Sequence, residues 1–373
     1  MIMAGGPNTT VRIGGERFFI NGRPTYEGRP DVEGLLYNIR TVNATFDDTL
    51  GHVDYFDDDG SHAENDHAGY GQWRSPDSAF ANTQRYVDAL PQYRDCGILA
   101  VNLNFQGGHP LHGKTWITQT QGSANRGRNA QRDVLQNSAF GSDGVIDPRY
   151  AKRIAAVIDA CAGLGMAVFL QYFHFGQDTV FTDEQGVLAA ADHATDWICR
   201  HGWRNVIVEI ANEVMAGHYH HAILQPSRVH ELIERVRQRG RDMHGTDLLV
   251  STSEAALLHG RNWRPDEIDR VFSISDVVLL HGGDGIDHGD VGDQTEVARK
   301  IDYIRSRPWF RARPRPIVFN ESDGKLAFEA ALGRRVSFGL HSDVLQTMWP
   351  PKWGVWSNRT MWFYNRVREL AMG

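Results

Sequence analysis

Two glutamates stand out because each closes an apolar run. Val206-Ile207-Val208-Glu209-Ile210-Ala211-Asn212-Glu213 ends on Glu213, and Pro316-Ile317-Val318-Phe319-Asn320-Glu321 ends on Glu321. Each is preceded by Asn, and they lie 108 residues apart. Two carboxyl groups brought face to face can split a glycosidic bond. One stays protonated and donates to the leaving oxygen, while the other attacks the anomeric carbon or activates water. Their proximity itself raises one pKa, because two ionised carboxylates repel in a medium of low dielectric. The separation, about 5–5.5 Å for retention and about 6.5–9.5 Å for inversion, is not written in the sequence.

Such chemistry needs a frame that carries both residues to one rim. Short apolar runs over 34–37, 98–103, 167–171, 206–211, 248–251, 277–280, 316–319 and 335–338 read as strands. Amphipathic stretches over 83–95, 148–164, 184–201, 226–239, 295–305, 325–332 and 359–370 read as helices between and after them. Ala167-Val168-Phe169-Leu170 is apolar on both faces, as a covered parallel strand is. Eight strands alternating with helices predict an α/β fold, a (β/α)8 TIM barrel, whose chemistry sits at the C-terminal strand ends. Glu213 then ends the fourth strand and Glu321 the seventh. Residues 11–26, with Asn21-Gly22 as a turn signal, predict a short N-terminal β-hairpin. Residues 41–82 and 105–147 predict long strand-to-helix loops, and residues 1–373 form one catalytic domain. An open dinucleotide-binding sheet is disfavoured, because Gly283-Asp284-Gly285-Ile286-Asp287-His288 lacks the final glycine of that fingerprint. No repeat of 20–50 residues is present.

Asn212-Glu213 after strand four and Glu321 after strand seven resemble the clan A glycoside hydrolases, cellulase-like family 5 proteins in particular, from about Phe18 onward. The resemblance implies that Glu213 is the acid/base, Glu321 the nucleophile of a retaining mechanism, and Asn212 the partner of the sugar 2-hydroxyl. It also implies sugar contacts from His174 after strand three and His281 at the end of strand six. Three positions depart from the family pattern. The tyrosine expected two residues after His281 is Gly283. Strand two, Val101-Asn102-Leu103-Asn104-Phe105, lacks the arginine that holds the nucleophile, and Arg40 after strand one is the substitute. Strand eight carries Phe338 where the family has a platform tryptophan. Trp349, Trp353 and Trp356 after strand eight, with Trp73 and Trp116 in the long loops, are candidates to stack on sugar C–H groups instead.

The acidic stretch Asp54–His67 and Asp47-Asp48 offer calcium-type oxygen ligands without EF-hand spacing, as a solvated loop also would. His218-Tyr219-His220-His221 looks metal-like, but strand one offers Leu35-Leu36-Tyr37-Asn38-Ile39-Arg40 instead of a histidine pair, so no catalytic metal and no cofactor are expected. A metal-dependent barrel hydrolase and a carbohydrate-binding pseudoenzyme are the alternatives. The chain of 373 residues is 41% hydrophobic and 23% charged, which excludes a disordered or collagen-like protein. Its net charge of −7 argues against a nucleic-acid partner, and no apolar run is long enough to cross a membrane. Cys96, Cys161 and Cys199 read as buried thiols. The first residues lack signal-peptide character. The expected partner is a carbohydrate substrate.

Overall fold

The computed structural model describes residues 9–46, 76–107, 138–215, 219–258, 264–287, 294–342, 345 and 352–373. Trp73, Trp116, Trp349, His218 and the acidic stretches 47–48 and 54–67 lie outside them.

Strands β1 (Val11–Gly14), β2 (Arg17–Ile20) and β3 (Arg23–Pro24) form an antiparallel N-terminal sheet, one strand more than a hairpin. The barrel follows as β4 (Asn38–Arg40), β5 (Ala100–Asn104), β6 (Ala167–Phe173), β7 (Val206–Ala211), β8 (Leu249–Ser251), β9 (Ser253–Glu254), β10 (Val278–Gly282), β13 (Ile317–Ser322) and β14 (Ser337–Leu340). A small ribbon, β11 (Ile286–Asp287) with β12 (Gln294–Thr295), lies after β10. The barrel order is β8-β7-β6-β5-β4-β14-β13-β10-β9, with parallel pairing throughout. The two ends of that order, β8 and β9, are halves of one strand interrupted at Thr252. The sheet therefore closes on itself as a (β/α)8 barrel, with β7 as its fourth strand and β13 as its seventh.

Several helices start where a side chain takes the free amides of the first turn. Helix α1 runs over Pro76–Asp95 and α2 over Pro148–Gly163. Asp147 caps α2 by accepting from Arg149 N–H at 2.7 Å, and Pro148 occupies the first turn, where its missing N–H costs nothing. Asp183 caps α3 (Glu184–His201). Helices α4 (Val229–His244), α5 (Pro265–Ile274), α6 (Glu296–Ser306), α7 (Pro308–Ala312), α8 (Lys325–Gly333) and α9 (Asn358–Met372) complete the outer layer. The 83–95 stretch extends back to Pro76, and α5 and α7 add to the helices that the amphipathic stretches predict. Both begin on a proline, and α7 is only five residues long.

Inside the barrel, side chains alternate and grade from apolar to polar. Leu36, Ala100, Phe169, Ile207, Leu279 and Val318 pack together at the N-terminal end, with Val11 and Phe18 of the N-terminal sheet against them. Higher up the same strands carry Asn38 and Arg40, Asn102 and Asn104, Gln171, Glu209, Ser253 and His281, all buried. Outward residues such as Val168, Leu170, Val208 and Ile210 join the larger core beneath the helices. Phe338 belongs to that outer set: it is fully buried against Phe328 and Phe363. Alternation thus turns this side chain away from the rim.

Candidate active site

A bulge places Glu321. Leu280 pairs with Phe319, but the next residue, His281, pairs with Glu321, so Asn320 is an extra residue in the seventh strand. Bulges re-aim side chains, and this one brings Glu321 beside His281 while Asn320 turns to Glu209. Asn320 Nδ2 donates to Glu209 Oε2 at 3.0 Å. Glu213 leaves the fourth strand through a left-handed backbone, φ +49°. That conformation costs a residue with a β-carbon roughly 1–2 kcal/mol and persists only where neighbours hold it.

The structure brings five of the sequence candidates together. Arg40 Nε forms an ion pair with Glu321 Oε2 at 2.9 Å. Its Nη2 donates to Asn212 Oδ1 and to Gln171 Oε1, each at 3.2 Å. His281 Nδ1 lies 2.9 Å from Glu213 Oε1 and 3.6 Å from Glu321 Oε2. The Arg40 and His281 side chains are buried, while those of Glu213 and Glu321 keep 21% and 17% of their surface open. The guanidinium beside Glu321 thus comes from the end of strand one.

Burial alone would raise the Glu321 carboxyl, but Arg40, then His281, His341 and His174, hold it well below the usual carboxylate range. Burial disfavours a charged His281, yet Glu321 and Glu213 outweigh it and raise its pKa above the ordinary imidazole value. His174 goes the other way. Burial, aided by Arg40, pushes it down to about 4, so its ring is neutral at ordinary pH. His174 Nδ1 lies 3.1 Å from Phe175 O, and its ring lies on the Phe175 ring.

Trp353 is placed differently from a free platform. Its Nε1 donates to Asn82 Oδ1 at 2.8 Å and its ring meets Tyr86 edge-on at 4.8 Å. Tyr86 in turn bonds the hydroxyl of Thr41, next to Arg40, so Trp353 buttresses the rim. Trp356 Nε1 donates to Lys352 O at 2.9 Å.

Four residues absent from the sequence reading also shape the site. His341, just past strand eight, puts Nε2 3.5 Å from Glu321 Oε1. Its signal was its position after an apolar run, obscured because Gly339 shortens that run to Phe338. Glu209 and Ser253 form a buried pair at 2.6 Å. Glu254, whose carboxyl burial pushes up to about 7, takes backbone amides of Met215 and Ala256.

Among the described residues, Glu213, His281 and Glu321 form a group whose ligand atoms, all within 4.8 Å of one another, could hold a metal ion. Arg40 already neutralises the Glu321 oxygen there. The described histidines of the histidine-rich stretch are not part of that group: His220 and His221 N–H both donate to Asp178 Oδ2, and His220 Nδ1 lies 3.2 Å from Asp178 Oδ1. The three cysteines are buried and free, and no described helix is long and apolar enough to cross a membrane.

No protein-family model and no curated protein matches the sequence. Solved structures do match. A β-1,4-D-mannanase from Cryptopygus antarcticus has a TM-score of 0.55 at 9% identity, covering 96% of this chain and 94% of that one. A glycoside hydrolase family 5 mannosidase from Rhizomucor miehei has a TM-score of 0.51 at 13% identity, covering 98% of each chain. A broad-specificity endoglucanase from Clostridium longisporum has a TM-score of 0.51 at 11% identity, covering 94% and 97%. Over nearly its whole length the chain has the (β/α)8 barrel fold of these proteins, at identities that speak for the fold alone.

Proposed function

We infer that the protein is a retaining glycoside hydrolase acting on β-glycosidic bonds of an oligo- or polysaccharide. The observation that carries this is the pair Glu213 and Glu321, whose nearest carboxylate oxygens lie within 4.8 Å across a partly open rim. Two carboxyls whose oxygens approach this closely suit direct attack by one of them on the anomeric carbon. Glu321, kept ionised by Arg40, is the nucleophile. Glu213 protonates the leaving oxygen and then deprotonates the incoming water. Asn212, oriented by Arg40, and the neutral His174 line the sugar side, with His281 between the two carboxylates. Trp349 and Trp73 are further sugar-stacking candidates. No cofactor enters this chemistry.

The test is intact-mass analysis of wild type and Glu321→Gln after incubation with 2,4-dinitrophenyl 2-deoxy-2-fluoro β-glycosides. β-Mannosyl and β-glucosyl compounds and their disaccharide forms come first, because the structural neighbours are named for mannan and glucan hydrolysis. A single adduct on wild type, mapped to Glu321 and missing from the variant, is the expected result. An adduct mapped to another residue removes the nucleophile assignment.

A further inference from the structure

Once Glu213 has turned into the left-handed region, its backbone amides can no longer pair along the strand and need other acceptors. Three in succession find them on one dipeptide of the fifth barrel strand. Glu213 N–H donates to Ser253 Oγ at 3.2 Å. Val214 N–H donates to the Ser253 carbonyl at 3.2 Å, and Met215 N–H to Glu254 Oε2 at 2.5 Å. The other Glu254 oxygen accepts from Ala256 N–H, so both oxygens of this buried carboxylate are spent on backbone.

The hydroxyl of Ser253 is itself oriented. It donates to Glu209 Oε1 at 2.6 Å, which leaves its lone pairs for the Glu213 amide. Glu209 is also bonded by Asn320, the neighbour of Glu321, so one buried carboxylate ties the two strand ends together. On the far side, Lys300 Nζ donates to Ala255 O at 2.6 Å and to His281 O at 2.8 Å. The end of strand five is thus fixed to the histidine that touches Glu213. Ser253 and Glu254 are fully buried and do not reach the open rim.

We propose that Ser253 and Glu254 are positioning residues for the acid/base carboxylate, holding the turn that aims Glu213 at the glycosidic oxygen. The inference rests on the retaining-glycosidase reading. It has a consequence that general loss of structure does not share. A misaimed acid harms only substrates whose leaving group needs a proton. A 2,4-dinitrophenolate departs without one, whereas a phenolate does not.

The experiment compares kcat/KM of wild type, Ser253→Ala and Glu254→Gln on 2,4-dinitrophenyl and phenyl β-glycosides of the sugar that labels wild type. On the phenyl glycoside both variants should fall by about tenfold or more, and on the dinitrophenyl glycoside they should stay within about twofold. Ser253→Ala removes only a hydroxyl and carries the test if Glu254→Gln does not fold. An equal fall with both leaving groups, or no fall with either, overturns the proposal while leaving the glycosidase reading intact. Failure of any fluoroglycoside to label wild type overturns both.

Discussion

Glu321 is held from both oxygens: Arg40 and His281 face Oε2, and His341 faces Oε1. The role proposed for Glu321, a nucleophile, requires an ionised carboxylate, and at this depth burial works against ionisation. Arg40 is the largest opposing influence, so its removal should change protonation before it changes anything else. In Arg40→Met, the acid limb of the kcat/KM profile on an aryl glycoside should move up by about one to three pH units. A limb that stays in place would show that the guanidinium does not set the charge of Glu321. Stability gives an independent reading. A carboxyl whose folded pKa is depressed adds stability above its unfolded value, and that stability is lost as pH falls through the folded one. The drop in Tm caused by Arg40→Met should therefore be larger at pH 7 than at pH 3. Arg40 could be singled out because it is a lone cation on a buried strand end. His341 could not, because nothing local says that a histidine past a glycine-broken run will face inward.

At the scale of elements, the legible signal was the alternation of apolar runs and helical stretches, since burial on both faces leaves long uniform runs such as 167–171 and 206–211. What stayed hidden was register. The bulge at Asn320 and the break at Thr252 leave no mark of composition, yet they decide which residues reach the rim. The eighth strand shows the cost of such blindness. Ending it at Phe338 sets an outward aromatic where the resemblance expects a platform tryptophan, whereas the strand runs on to Leu340 and delivers His341. Gly339 makes this register possible. It pairs with Asn38 of the first strand, and a β-carbon there would fall inside the Asn38 amide. Asn38 is fully buried in the barrel interior. Gly339→Ala should destabilise the protein by about 1–3 kcal/mol, read as a lower urea midpoint. The His341 backbone should shift with it, so activity should fall further than stability alone explains. A variant as stable and as active as wild type would mean that Asn38 can move and that strand eight is not set by this contact.

Over the whole molecule, the interior gradient separates what holds the barrel together from what it presents. Apolar side chains fill its N-terminal end and polar ones its C-terminal end. The N-terminal sheet is the lid on the apolar end. Val11 N–H bonds Arg204 O at 2.8 Å, Arg305 reaches Glu16, and Phe18, fully buried, packs into the ring that includes Leu36, Phe169, Ile207 and Leu279. Truncating Phe18 opens a cavity where no neighbouring strand can collapse, because each is locked into a closed sheet. Phe18→Ala should therefore cost about 3–5 kcal/mol in an unfolding titration. The same change lies at the opposite end of the barrel from Glu213 and Glu321, so kcat/KM at a temperature well below Tm should match wild type. A large loss of stability with unchanged kcat/KM is the signature of a scaffold whose two ends are energetically separate. If kcat/KM falls in proportion to stability, the polar rim depends on packing at the far end, and the rim is not the independent unit that its own hydrogen bonds describe.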